Sequence, residues 1–74
     1  MLLSEAPSDR RVRVTGFGRG GLMTTRLMEM GLIAGTEVHV VGYAPFGGTL
    51  QLRVMDYDLA VRRGEAALVE VALA

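Results

Sequence analysis

The sequence predicts a small, mainly β domain whose sheet of about five strands curls into a barrel, with one α-helix after the first strand. Three observations lead there. A chain of 74 residues makes one domain, because compact domains begin near about 50 residues and two do not fit. Several short runs alternate polar and apolar residues, the two-residue period of a strand with one buried face. A single stretch, from Leu22 on, switches to helical spacing. Five short strands cannot stack as two broad sheets, and open edges invite association, so a curled sheet is the economical arrangement.

Residues 1–9, MLLSEAPSD, show no period and are expected to form an N-terminal tail before a barrel domain over residues 10–74. Arg11-Val12-Arg13-Val14-Thr15 places Val12 and Val14 on the inner face of a first strand, and Gly16 to Gly21 interrupts it. Met23, Leu27 and Met30 follow at i, i+4 and i+7, the stripe of a helix that seals one end of the barrel. Met28 lies off that stripe. Gly31 is expected to stop the helix in a left-handed conformation. Ala34-Gly35-Thr36 is a turn, and Val38 and Val40 then alternate with Glu37 and His39 in a second strand. The glycine-rich loop Ala44-Pro45-Phe46-Gly47-Gly48 leads to a third strand carrying Leu50, Leu52 and Val54. A turn at Asp56-Tyr57-Asp58 makes a hairpin with a fourth strand, Leu59-Ala60-Val61-Arg62. Gly64 to Ala67 can form one helical turn, and Val69, Val71 and Leu73 alternate in a last strand. The expected interior is Val12, Val14, Val38, Val40, Leu52, Val54, Val61 and Val71.

Composition excludes several functions. Eight arginines, no lysine and eight acidic residues give a net charge of zero, which supplies no long-range field for gathering nucleic acid or anionic lipid. Nucleic acid is therefore not an expected partner. There is no cysteine, so disulfides, thiolate metal sites and thiol catalysis are all excluded, and a reducing, cytoplasmic setting fits best. Met1-Leu2-Leu3 runs at once into Ser4 and Glu5, too short an apolar stretch for a signal peptide or a membrane span. A soluble protein without membrane insertion is expected.

Gly16-Phe17-Gly18-Arg19-Gly20-Gly21 reads literally as G-x-G-x-x-G between a strand and a helix. Dinucleotide binding also requires an acidic residue about 20 residues on, at the end of the next strand. That strand ends in Val41-Gly42-Tyr43, and Leu22 stands where the lysine of a phosphate-binding loop would follow Gly21. A permissive turn is the better reading. His39 is the one histidine and has no carboxylates at a recurrent ligand spacing, so no metal site, cofactor site or catalytic set is expected. A solvent-facing strand position suits it. Arg10, Arg11 and Arg13, with Arg62 and Arg63, read as solvated faces, since no aromatic residue interleaves with them. Phe46, next to Pro45, is different: a large ring at a loop tip has little core to enter. Together with Met28 it is a candidate partner contact, because a methionine thioether adapts to irregular surfaces. Arg19, between Gly18 and Gly20, is either a solvated charge on a permissive loop or an arginine that enters a neighbouring nucleotide site.

Four segments in one order carry a resemblance: Arg26 to Leu32 (RLMEMGL), Gly35 to Val38 (GTEV), Ala44 to Gly47 (APFG), and Leu59 to Arg63 (LAVRR) with Glu65-Ala66. Over roughly residues 11–73 the chain closely resembles the ferrous iron transport protein A (FeoA) family. Ala34 stands where that family often has Pro, and Gly48-Thr49 where an acidic residue and Pro are common. The resemblance implies an SH3-like β-barrel. It also implies a cytosolic accessory role, by protein–protein docking, to the ferrous iron permease FeoB, a membrane protein with a GTP-binding domain. Met28, Pro45, Phe46 and Arg19 are the candidate contact residues, and self-association is a further use for the same apolar positions. The alternative function is that of a regulatory interaction module, because family members are similar to the C-terminal domain of iron-dependent repressors.

Overall fold

The alternating runs become one five-stranded antiparallel sheet in the computed structural model, which describes residues 1–74. The elements are β1 (Arg10–Phe17), α1 (Leu22–Glu29), β2 (Glu37–Tyr43), β3 (Thr49–Val54), β4 (Tyr57–Arg62), the single turn α2 (Arg63–Ala66) and β5 (Val69–Leu73). Strand order is β4-β3-β2-β1-β5. No helix is long and apolar enough to cross a membrane.

Two bulges help the sheet to curl. Val14 pairs with Val71 and Gly16 with Glu70, leaving Thr15 as an extra residue in β1. Val40 pairs with Leu52 and Gly42 with Gln51, leaving Val41 as an extra residue in β2. An extra residue bends its strand and increases the local twist, which lets a short sheet wrap its apolar face inward. All eight expected interior residues are buried there, joined by Leu3, Ala6, Leu27, Leu32, Leu50, Ala66 and Val69.

Residues 1–9 are not a free tail. Met1 and Val71 exchange hydrogen bonds, the Met1 ammonium donating to the Val71 carbonyl (3.0 Å) and the Val71 N–H to the Met1 carbonyl (2.8 Å). Leu2 makes a bridge with Glu70. One 3-10 turn, Leu3–Glu5, then puts Leu3 and Ala6 fully into the core. The Tyr43 hydroxyl donates to the Ala6 carbonyl at 2.5 Å, and the Asp9 N–H donates to the Val40 carbonyl. The segment thus straps the edge of β5 to β2. Lack of periodicity misled because a strap needs only two inward side chains, too few to show a period.

The helix also turns differently from its expected stripe. Thr24 and Leu27 are its buried residues, whereas Met23 is exposed. A threonine can go inside because its hydroxyl donates to the Arg19 carbonyl at 2.5 Å, which removes the penalty of an unpaired buried hydroxyl. At the other end the Leu32 N–H donates to the Leu27 carbonyl and the Gly31 N–H to the Met28 carbonyl. This is the Schellman pattern, with Leu27 and Leu32 supplying its apolar contact. Gly31 has φ of 103°, and a Cβ there would collide with the Tyr57 hydroxyl. That hydroxyl donates to the Met30 carbonyl at 2.5 Å. Tyr57 accordingly belongs to β4 rather than to the turn, which consists of Met55 and Asp56, with Met55 at φ 57°.

Two stability effects follow from these contacts. Gly31→Ala is expected to lose about 2–3 kcal/mol, from a side chain forced into the left-handed region and a displaced Tyr57 hydroxyl, while Tyr57→Phe loses only about 1 kcal/mol. Urea unfolding of the two variants checks the order. Leu3→Ala is expected to lose about 2–5 kcal/mol, as any leucine emptied from a packed core does; a loss below about 0.5 kcal/mol would restore the free tail.

Candidate partner-binding surface

The loop between β2 and β3 is braced on both sides of Phe46. The Ala44 N–H donates to the Thr49 carbonyl (2.8 Å) and the Gly47 N–H to the Ala44 carbonyl (2.9 Å). The Arg63 guanidinium donates to the Gly47 carbonyl at 3.2 Å and lies 5.2 Å from the centroid of the Tyr43 ring. Between these ties Phe46 is held at φ 73° and Gly47 at φ 71°. A left-handed glycine is unremarkable, but a left-handed phenylalanine costs roughly 1–2 kcal/mol. Its ring is fully exposed. Pro45, also exposed, fixes the entry to the turn. The loop therefore combines backbone strain and an unburied aromatic ring in one residue. Sequence reasoning identified the ring but missed the brace: Arg63 reads as a solvated charge because nothing local ties it to residue 47.

Met28 is exposed on α1, as its place off the helical stripe implies. Met28 and Phe46 do not form one contiguous patch. Met28 stands two residues before Met30, whose carbonyl binds Tyr57 at the hairpin-turn end of β3. Phe46 lies beyond the opposite end, where Thr49 pairs with Arg62. The five steps of β3 separate these ends by about 17 Å. Ile33, just past the helix stop, and Met55, in the hairpin turn, are exposed as well. Two apolar spots result, one at each end of the strand.

Arg19 is exposed, with its carbonyl held by Thr24 and no ion pair on its side chain. The glycine loop around it leads from β1 to a strand that runs antiparallel to β1, so the parallel crossover of a dinucleotide fold is not formed. The Glu70 carboxylate also lies where side chains at Gly16 and Gly18 would project, which disfavours a phosphate there.

His39 is on the outer face of the sheet in a groove of about 570 Å³ lined by polar residues and Met55. Its Nε2 is 3.0 Å from Asp9 Oδ1. Glu37 lies between Arg11 (3.7 Å) and Arg13 (3.6 Å), and Arg53 donates to Asp58 at 2.9 Å. These exposed pairs are worth little individually. On the outer face Glu37 and Asp58 each have an arginine beside them, so most of the charge around the groove is paired within the chain.

Comparison with known proteins gives a consistent result. The model of the FeoA domain family matches residues 1–73. A Porphyromonas gingivalis protein, described as a fusion of Fe(2+) transport protein A with the Fe(2+) transporter FeoB, is 40% identical over 74 residues; the match takes in 99% of this chain and 9% of that protein. The solution structure of a FeoA-like protein from Clostridium acetobutylicum superposes with a TM-score of 0.91 at 32% identity, covering 99% of this chain and 85% of that one. The crystal structure of Stenotrophomonas maltophilia FeoA complexed with zinc, described as an SH3 domain protein, gives a TM-score of 0.81 at 33% identity, covering 97% and 89%. The curled sheet is thus an SH3-like barrel.

The strain at Phe46 has a measurable signature. Phe46→Gly relieves the left-handed Cβ, whereas Phe46→Ala keeps it, so the glycine variant is expected to be the more stable by about 1 kcal/mol in urea unfolding. The reverse order would mean that the loop is unstrained.

Proposed function

The chain belongs to the FeoA domain family, and on that premise we propose that it is a non-enzymatic accessory protein of ferrous iron uptake that docks, in the cytoplasm, on a FeoB-type permease. The observation that carries this reading is Phe46. A small domain has little stability to spare, and a strained residue with an unburied ring persists only where something other than folding uses it. Aromatic side chains on a rigid support act as binding anchors because little side-chain entropy remains to be lost on association. Pro45 positions that anchor, and Met28 is a second, adaptable contact at the other end of β3.

The fusion in the P. gingivalis relative supports the choice of partner. When two modules share a chain, their contact becomes intramolecular and needs little intrinsic affinity. As a separate chain, the same module must supply affinity from its own surface, which is what exposed apolar anchors provide. Arg19 takes no essential part in this reading: its loop is permissive and its side chain unpaired, as expected of a solvated charge.

The test is capture by the soluble GTP-binding domain of the permease, together with iron uptake in cells. Phe46→Glu and Met28→Glu are expected to keep the parent's circular dichroism and melting temperature while weakening capture at least about tenfold and lowering uptake, since truncated anchors commonly lose more than about 1.4 kcal/mol. Normal folding with full capture and full uptake in both variants would move the docking surface elsewhere. GTP turnover by the permease domain is expected to be the same with Arg19→Ala as with the parent; a loss confined to that variant would make Arg19 an arginine finger.

A further inference from the structure

The two edges of the sheet are treated differently. Met1 and Leu2 lie along the outer edge of β5, but nothing lies along the outer edge of β4. The direction of its backbone groups follows from the ladder. Pairs of opposed residues alternate between hydrogen-bonded and non-hydrogen-bonded across an antiparallel ladder. The Arg63 N–H donates to the Gly48 carbonyl, so Gly48 and Arg63 face each other as a bonded pair. Stepping along the register, Leu50–Val61, Leu52–Leu59 and Val54–Tyr57 are then bonded pairs. Asp58, Ala60 and Arg62 therefore direct their N–H groups and carbonyls away from β3, across the free edge. Of these, the Arg62 N–H is held by the Glu65 carboxylate at 3.1 Å. No turn, loop or cap hydrogen bond reaches the N–H or carbonyl of Asp58 or Ala60.

We propose that a second copy of this chain pairs along β4, antiparallel and two-fold symmetric, with Ala60 on the axis. An antiparallel contact bonds only where outward-directed residues oppose one another, which limits self-pairing with more than one bonded pair to centres at Leu59, Ala60 or Val61. Of these, only the Ala60 centre brings all three outward residues into the contact, with the Arg62 carbonyl accepting from Asp58 of the second copy while the Arg62 N–H stays with Glu65. It opposes Asp58 to Arg62 of the second copy, and by symmetry Arg62 to Asp58, so one charge pair closes each end of the contact. Opposite charges directly across a ladder are favourable and like charges unfavourable. The two Ala60 residues meet on the axis, where each N–H donates to the other's carbonyl and the small side chain leaves the backbones free to approach. The Arg62 guanidinium has no ion-pair partner within its own chain, while Asp58 has Arg53 at 2.9 Å. The second copy therefore supplies the missing carboxylate and leaves Asp58 between two arginines. The inference is independent of permease docking, since β4 contains neither Phe46 nor Met28.

Sedimentation equilibrium of the isolated chain tests it from about 10 μM to about 1 mM, the range of a weak, transient association. Concentration-dependent dimerisation is expected, and a protein that remains monomeric throughout overturns the proposal. Asp58→Arg and Arg62→Asp are each expected to weaken the dimer at least about tenfold by placing like charges opposite each other. The double variant D58R/R62D is expected to recover at least about threefold of that loss, less than all of it because the arginine introduced at position 58 then also faces Arg53 in its own chain. Dimerisation that is unchanged in both single variants, or not partly restored in the double, overturns the register. Ala60→Pro removes the axial N–H donor and is expected to abolish dimerisation while melting as a folded barrel; a dimer that survives it lies on another surface. Circular dichroism of every variant separates loss of pairing from loss of fold.

Discussion

A sheet of five short strands holds together in 74 residues only if its open ends are closed, and the strap formed by the first nine residues is the contact on which that closure depends. At this length folding buries only about 60% of the surface that the unfolded chain exposes, so each inward side chain counts. Leu3 and Ala6 add to the core from outside the sheet. The backbone of Met1 and Leu2 covers the edge of β5, and Tyr43 ties the strap to β2. Without it the core would lose a fully buried leucine and the second edge of the sheet, that of β5, would lie open as well as that of β4.

The same requirement shapes the two apolar spots. Tyr43 holds the strap through its hydroxyl, while its ring lies beneath Arg63, which in turn braces the Phe46 loop. The loop is therefore rigid because it is anchored to the element that closes the barrel. Near the other end of β3, the hydroxyl of Tyr57 binds the carbonyl that ends α1, and Gly31 leaves it the room to do so. Met28 is thereby fixed relative to the hairpin. Each exposed apolar residue sits on a support built for closure, so presenting it requires little additional ordering.

Much of the fold was legible in the sequence, since strand alternation is local and each inward valine reports its own register. Val12, Val38, Val54 and Val61 could be placed from two neighbours on either side. The stop at Gly31 was legible for the same reason. What stayed hidden depended on partners far along the chain. The strap required Val71 and Tyr43 to be near Leu2 and Ala6; the burial of Thr24 in place of Met23 required the Arg19 carbonyl; and the brace on Gly47 required Arg63. At the candidate surface the residue types were readable. The left-handed backbone of Phe46 and the separation of Phe46 from Met28 were not, because both follow from the β3–β4 register and the ties around the loop.

The central claim is that a rigid barrel presents Phe46 to a partner, and amide chemical-shift mapping addresses it most directly. With isotope-labelled chain titrated by the soluble GTP-binding domain of a FeoB-type permease, the largest shifts are expected at Ala44 to Thr49, with a second group around Met28. The strands beneath should keep their positions, since pre-organised surfaces move little on binding. Shifts confined to the outer face around Glu37 and His39, with the Phe46 loop unmoved at saturation, would contradict the account.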